Sequence, residues 1–381
     1  MTFEDHMRNK IRGEDVKGYK KPMGAIDFIN QSRNSSPVQQ PQPQQQQTAG
    51  LSTNPLSPTS LDEYVGQVEM KRRLRMMING ARRKNKRLIH ILLAAGAGKG
   101  KSTLAEIIAA EMGVQCYAVQ APVDRDDLID LGFKMNDGDI LLIDECHLQS
   151  KGKNAHNNEE VLYGIMQGRY IETDQGRKQY PDVTVIGATT DRGLLKRPFL
   201  QRFKYKPPFE DYTEDDMFEI VMMNGDQLKV EITDDAAHIF AKASTGTPRV
   251  INGFVEQADA VMDGFGETEV NKFIATEVLR NEQVEDDGLT RDQMIYLEGL
   301  WERKRWVKAS QMWEAKASLA TMAHVTDCAR DTEYVKQEIE PMLFKRNYIE
   351  VVPGGRRLTE HAVERLGVTW PPDPQTKGER G

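Results

Sequence analysis

Residues 88–102 read LIHILLAAGAGKGKS, an apolar run that dissolves into small residues and ends in Gly100, Lys101 and Ser102. A run of this kind, with almost no polar alternation, suits a strand buried on both faces of a parallel sheet. The small residues that follow let backbone N–H groups curl around a phosphate, and a helix opening at their end would add its positive terminus. Lys101 can then reach the β and γ oxygens of a nucleotide, while the Ser102 hydroxyl can ligate Mg²⁺. Ala95 to Ser102 therefore read as a Walker A loop, with Gly96, Gly98 and Gly100 as the turn-forming residues and Thr103 just inside the helix. Ala95 stands where that motif usually opens with glycine, a change that is tolerable if its φ stays negative.

Working outward, two further buried strands are expected at 139–143 (DILLI) and 183–188 (VTVIGA), with helical periodicity at 103–112. Strands alternating with helices imply an α/β domain whose parallel sheet is covered on both sides. Asp144 and Glu145 follow the second of these strands. There one carboxylate can hold hydrated Mg²⁺ and its neighbour can polarise an attacking water. His147 has no second His or Cys at ligand spacing and reads as a surface or supporting histidine rather than a metal ligand. Beyond Asp211 the strand signal vanishes, and 214–223 and 234–243 read as helices opened by acidic residues. A helix at 289–304 leads to short helices and then to 348–352, a Pro353-Gly354-Gly355 turn and a basic return strand, the outline of a winged helix.

The chain has 381 residues and a formal charge of −7. That length holds two to three domains of about 100 to 200 residues each, and the charge excludes a uniformly basic coat. A Gln- and Pro-rich stretch, including Gln44 to Gln47, dilutes the apolar content, so residues 1–60 are expected to be a disordered tail. Within it, 23–29 (MGAIDFI) is a short amphipathic piece. The other expected units are an ATPase domain at 61–209, a helical lid at 210–285, a winged helix at 286–368 and a flexible tail at 369–381. Cys116, Cys146 and Cys328 show no C-x-x-C spacing, which fits a reducing, cytoplasmic setting. No leader or membrane span is expected from the acidic first residues or from any apolar run. Lys71, Arg72, Arg73, Arg75, Arg82, Arg83, Lys84, Lys86 and Arg87 crowd one helical stretch, open to two readings: a phosphate-binding patch, or a solvated face or subunit contact. Trp301, Trp306 and Trp313 are expected to pack rather than to stack on bases.

Several motifs occur in a fixed order: LDEYVGQ at 61–67, the P-loop, Asp144-Glu145-Cys146-His147, IGATT at 186–190, Gly246-Thr247-Pro248-Arg249 and Glu340-Pro341-Met342-Leu343. In this order, from 61 to about 367, the chain resembles RuvB, the AAA+ family of hexameric motors that drive branch migration of Holliday junctions. The resemblance implies ATP and Mg²⁺ as cofactors. Tyr64 and Val65 would hold adenine, Lys101 and Ser102 the phosphates and metal, Asp144 the metal and Glu145 the water. Thr190 would sense the γ-phosphate, Arg249 would be a second sensor, and Arg202 would be an arginine finger given to a neighbouring subunit. Arg356 and Arg357 would touch DNA from the wing.

The chain departs from the family pattern in three places. Leu200 replaces one of two arginines near Arg202, and Gly354 replaces the first arginine of the wing motif. The hairpin from Tyr170 to Gln179 is shorter than the one that docks the junction-binding protein RuvA, which argues against a standard RuvA partner. The expected activity is ATP-driven branch migration of four-way DNA by a homo-oligomeric ring in recombination and repair. Two other readings remain open at this point: a clamp or helicase loader in replication, and a DNA-binding adaptor with weak ATPase.

Overall fold

A computed structural model describes residues 54–150, 155–173, 176–326 and 331–371. The 23–29 segment and Cys328 lie outside these residues, as does the rest of the expected N-terminal tail up to residue 53. The tail boundary expected at residue 60 falls too late: Leu56 is only 2% exposed and Leu61 only 1%. A single buried leucine among the prolines marks this stretch as part of the folded domain.

After helix α1 (Val68–Arg83), the first unit alternates β1 (Ile91–Ala94), α2 (Lys101–Met112), β2 (Cys116–Gln120), α3 (Arg125–Gly132), β3 (Ile140–Asp144) and α4 (Ala155–Gly168). A hairpin of β4 (Tyr170–Thr173) and β5 (Gly176–Gln179) follows, then β6 (Thr184–Thr189) and the short α5 (Arg197–Leu200). The main sheet is parallel with order β1-β6-β3-β2. Tyr205 extends it past β1, its carbonyl accepting from the Leu92 N–H at 2.9 Å. The pleat accounts for the apolar runs. Ile91, Leu93, Ile140, Leu142, Ile186 and Ala188 face one core with α1 and α2. Leu92, Leu141, Ile143 and Val185 face the other with Leu162, Phe199 and Phe203. A strand sandwiched in this way needs an apolar residue at every position.

β2 was not expected from the sequence. It is the edge strand, with only Cys116 buried outright and the rest half-buried or exposed, so its apolar signal is weak. β1 and β3 are each separated from β6 by no other strand, so the C-terminal ends of all three lie side by side. In open α/β sheets that edge is where ligands bind.

His90, just before β1, is buried in this domain. Its Nδ1 accepts from the Val185 N–H at 2.9 Å and its Nε2 donates to the Met166 carbonyl at 3.0 Å. These partners fix a neutral tautomer, and burial lowers its pKa from the usual 6.5 to about 4. Between those values the unfolded chain binds more protons than the folded one, so stability falls as the pH drops from about 6.5 towards 4. The single-site effect is roughly 3 kcal/mol. Chemical denaturation of His90→Gln across this window should show a correspondingly shallower loss than the wild type. Parallel pH profiles would assign the acid sensitivity elsewhere.

The lid is four helices, α6 (Glu214–Leu228), α7 (Asp234–Ala243), α8 (Pro248–Phe265) and α9 (Lys272–Glu282), around a core of Met217, Val221, Phe240, Ile251, Val255 and Ile274. Thr213 and Asp216 form a reciprocal capping box on α6, and Thr233 caps α7. Each such cap contributes about 1 kcal/mol. The winged-helix unit runs α10 (Arg291–Glu302), β7 (Lys304–Val307), β8 (Met312–Ala317), α11 (Leu319–Val325), α12 (Thr332–Tyr334), a π-turn, α13 (Glu340–Lys345), β9 (Ile349–Val352), β10 (Gly355–Leu358) and α14 (Glu360–Arg365). Its antiparallel sheet has order β7-β8-β10-β9, so a second hairpin flanks the expected wing. Among the described residues, no helix is long and apolar enough to cross a membrane.

Candidate active site

A cavity of about 560 Å³ lies where the P-loop, the ends of the central strands and the lid converge. Its lining includes Tyr64, Val65, Gly98, Gly100, Lys101, Ser102, Thr103, Asp144, Glu145 and Arg249, ten of the residues singled out from the sequence. α2 starts at Lys101 with Gly100 as N-cap at φ 82° and with no side chain capping its first turn. Those free N–H groups, together with the helix dipole, are the anion-binding feature the sequence implied. Gly98 also has positive φ, and a Cβ there would lie 2.8 Å from Thr247 Cγ2, so glycine is required by both conformation and space. Ala95 is absent from the positive-φ residues, which removes the conformational objection to alanine.

Lys101 is 6% exposed and its Nζ donates to the Ala95 and Gly96 carbonyls at 2.9 Å each. Burial lowers its pKa, while the carboxylates of Glu145 and Asp144 oppose the shift. An ammonium held over a loop of small residues fits a nucleotide's phosphates. Gly96 contributes this carbonyl contact but does not line the cavity itself. Ser102 Oγ donates to Asp144 Oδ2 at 3.1 Å, placing hydroxyl and carboxylate together as a Mg²⁺ site requires. No cluster of three or more metal-ligating side chains occurs among the described residues. That suits Mg²⁺ held by one or two protein groups plus substrate phosphates and water.

Glu145 has φ +46°, a left-handed conformation uncommon for this residue type and concentrated at functional sites. Its Oε2 accepts from the Thr190 N–H at 3.1 Å and from the Thr190 hydroxyl at 2.9 Å. Thr190 follows β6, between β1 and β3, so it can bridge the P-loop side to the acidic side. His147, missed as a site residue, is 9% exposed; its Nδ1 lies 2.9 Å from Thr189 Oγ1 and 3.2 Å from Glu145 Oε2. Its place two residues after Glu145 was the only signal for this role. Cys146 between them is fully buried, and burial pushes its thiol, like that of Cys116, up to about 12. Neither is a nucleophile.

The lid closes the cavity from the other side. The Arg249 N–H donates to the Gly98 carbonyl at 3.4 Å, and Lys99 Nζ donates to the Gly246 carbonyl. Tyr64 Oη sits 3.3 Å from the Lys99 and Gly100 carbonyls beneath the loop. Ile220, Met223, Leu56 and Pro58 complete an apolar side of the cavity that the motifs did not reveal. They come from the lid and from the stretch before residue 60, where neither position carries a chemical signal.

Arg202 is not part of this cavity. It lines a separate one of about 500 Å³ with Arg125, Glu160, Tyr163 and Tyr170. Its guanidinium carbon lies 3.8 Å from the Tyr163 ring centroid, Nη1 donates to the Pro198 carbonyl at 2.5 Å, and its buried Nε has no partner.

The two wing arginines are separated by the pleat of β10. Arg356 faces inward, Nε and Nη2 donating to Glu340 at 2.7 and 2.9 Å, while Glu340 is 2% exposed and also accepts from Tyr296 Oη. The expectation that Arg356 reaches DNA is therefore corrected: its guanidinium closes a buried ion pair. Arg357 faces outward, pairing with Glu350 at 2.7 Å and Glu314 at 3.4 Å. Neither sits at the turn, which is Pro353-Gly354.

Four of the nine cations in the basic stretch of α1 and the residues after it pair with carboxylates. Arg72 and Arg73 hold Glu69, Arg75 holds Asp62 and Arg87 holds Asp182. Trp301 packs against Trp370 at 4.8 Å beside the domain core, as expected. Trp306 and Trp313 instead form a half-exposed pair outside that core.

Comparison with known families matches the Holliday junction DNA helicase RuvB P-loop domain over residues 56–207, the RuvB AAA lid domain over 212–285 and the RuvB C-terminal winged helix domain over 287–367. The Holliday junction branch migration complex subunit RuvB of Lactobacillus helveticus is 32% identical over 328 residues, covering 84% of this chain and 90% of that protein. Its counterpart in Kosmotoga olearia is 32% identical over 329 residues, covering 83% and 91%. The structure of the Thermotoga maritima RuvB Holliday junction branch migration motor superposes with a TM-score of 0.69 at 28% identity, covering 84% of this chain and all of that one. With all three of its folded units matched in order, the chain belongs to the RuvB family.

Proposed function

We propose that this protein is an ATP-driven DNA motor that moves the branch point of four-way junctions, working as a ring of identical subunits. The observation that carries the reading is a division of the catalytic set. Lys101, Ser102, Asp144, Glu145 and Thr190 converge in or beside one cavity, while Arg202 opens into another. A finger that cannot serve its own site supports a reaction completed across a subunit interface, so that hydrolysis is coupled to motion between subunits.

In this reading Tyr64, Val65, Ile220 and Met223 take the base end of the nucleotide. The P-loop N–H groups and Lys101 would take the phosphates, and Ser102 and Asp144 would hold Mg²⁺, which would supply charge neutralisation on the phosphate oxygens. Glu145 orients and deprotonates water, with Thr190 and His147 fixing its carboxylate. Arg249 reports occupancy to the lid from the first turn of α8. The short β4–β5 hairpin, with β5 fully exposed and Arg177 stacked 3.3 Å from the Tyr170 ring centroid, argues for a junction partner other than a standard RuvA.

The test is dissociation of a synthetic four-way junction, with junction-stimulated ATP hydrolysis measured alongside, with and without RuvA. ATP-dependent dissociation that vanishes in Lys101→Ala is expected. No hydrolysis with junction DNA, or a Lys101→Ala protein indistinguishable from wild type, would sink the reading.

A further inference from the structure

The hairpin of β7 and β8 is not the expected wing; β8 sends Ala315 and Ala317 into the domain core, but the hairpin's charge is unlike that of the rest of the chain. Residues 303–317 hold five cations, Arg303, Lys304, Arg305, Lys308 and Lys316, against a single carboxylate, Glu314, in a protein of net charge −7. β7 is the free edge of the sheet. Strand alternation and register place Arg305, Glu314, Lys316 and Arg357 on the outward face.

There Glu314 is shared by three cations, at 3.8 Å from Arg305, 3.6 Å from Lys316 and 3.4 Å from Arg357. Glu350 adds one further carboxylate, on Arg357. Two carboxylates therefore cannot neutralise this face once Lys308, in the hairpin loop and with no acidic partner among the described residues, is included. Lys316 Nζ donates to the Pro353 carbonyl at 3.1 Å, which ties the hairpin to the wing turn. On this same face Met312, two residues before Glu314, is 60% exposed, while Trp306 and Trp313 pair on the opposite face, with centroids 5.8 Å apart, on the side of the buried Ala315.

We infer that the β7–β8 hairpin is a second wing that grips the phosphate backbone of duplex DNA, chiefly through Arg305 and Lys308. The inference rests on the reading of the chain as a DNA motor and says where its C-terminal domain touches the duplex. Arg356 is unavailable for that contact because Glu340 holds it inside the fold. The excess charge suits a polyanion; phosphates on the rising backbone can meet the loop and the edge strand together. Met312 would lie against sugars rather than read bases, so the contact is insensitive to sequence.

The experiment uses the full chain and a blunt duplex without nucleotide, with affinity measured across salt concentrations. Each phosphate contact contributes about 0.9 to the slope of log K against log salt. Arg305→Gln/Lys308→Gln should therefore lower the slope by about 2 and weaken binding tenfold to a hundredfold near 0.1 M salt. An unchanged thermal midpoint shows that the variant is folded, and the single loop substitution Lys308→Glu should move the slope in the same direction.

Trp301, Trp306 and Trp313 lie in this domain and Trp370 packs against it, so duplex should perturb intrinsic fluorescence in the wild type and less in the variant. Wild-type affinity and slope in the folded variants would overturn the inference while leaving DNA binding intact. So would loss of a protein partner with the DNA slope unmoved. Absence of duplex binding by the wild type would instead remove the motor reading itself, and this inference with it.

Discussion

Arg202→Ala is expected to reduce ATP turnover by roughly 10³-fold or more while leaving ATP affinity near wild type. The expectation comes from where the side chain lies. In its own subunit the guanidinium touches no group of the nucleotide cavity; it rests on Tyr163 and the Pro198 carbonyl at the mouth of another. Its buried Nε lacks any partner, an incomplete state for a charged donor that a rearrangement of the side chain toward phosphate oxygens would relieve. The measurement is steady-state ATPase with nucleotide affinity determined separately. If the substitution lowered ATP affinity instead and left turnover alone, Arg202 would be acting on its own site through the fold. Leu200 stands two residues earlier, where the family pattern has its second arginine, so the loss should be nearly complete.

Glu145→Gln is expected to lower turnover by about 10² to 10⁴, the range for removing a positioned base, with ATP still bound. The carboxylate is placed rather than merely present. Its residue is held at φ +46°, and its Oε2 accepts two hydrogen bonds from Thr190 with His147 alongside. Glutamine keeps the shape and the Thr190 contacts but cannot take a proton, so the effect should fall on kcat with KM little changed. Retention of more than a tenth of wild-type turnover would move the role of base elsewhere. The neighbouring Asp144 would not be a ready substitute, because Ser102 and the Glu145 N–H already hold its oxygens.

Much of this site could be read from the chain because phosphate chemistry restricts which residues fit. Small residues before Gly-Lys-Ser, and adjacent acids after an apolar strand, suit few tasks besides holding a nucleotide and its metal. Two of the four lid helices, α6 and α7, were legible for a similar reason, since Thr213 and Thr233 precede acidic first turns.

What failed had weak or ambiguous local signals. β2 is an edge strand with one buried residue, too little burial to imprint a pattern. The β7–β8 hairpin turns through Lys308 to Gln311 without glycine, proline or asparagine, and Gln311 adopts φ +53° itself. Ser310 alone in that tetrapeptide is a weak signal of a reversal. Arg356 and Arg357 look equivalent in sequence, yet a period of two residues sends one to a buried glutamate and the other outward. Leu56 was lost among prolines because a single buried side chain has no periodicity.

Completion of the ATP site by a neighbour's Arg202 is tested most directly by mixing two proteins that are each inactive, Lys101→Ala and Arg202→Ala. In a head-to-tail ring assembled at random from equal amounts, about a quarter of interfaces would pair an intact P-loop with an intact finger. The account predicts that ATPase activity reappears on mixing, at a fraction of the wild-type rate and in proportion to such interfaces. A mixture as inactive as its components, under conditions where the subunits are shown to exchange, would contradict it.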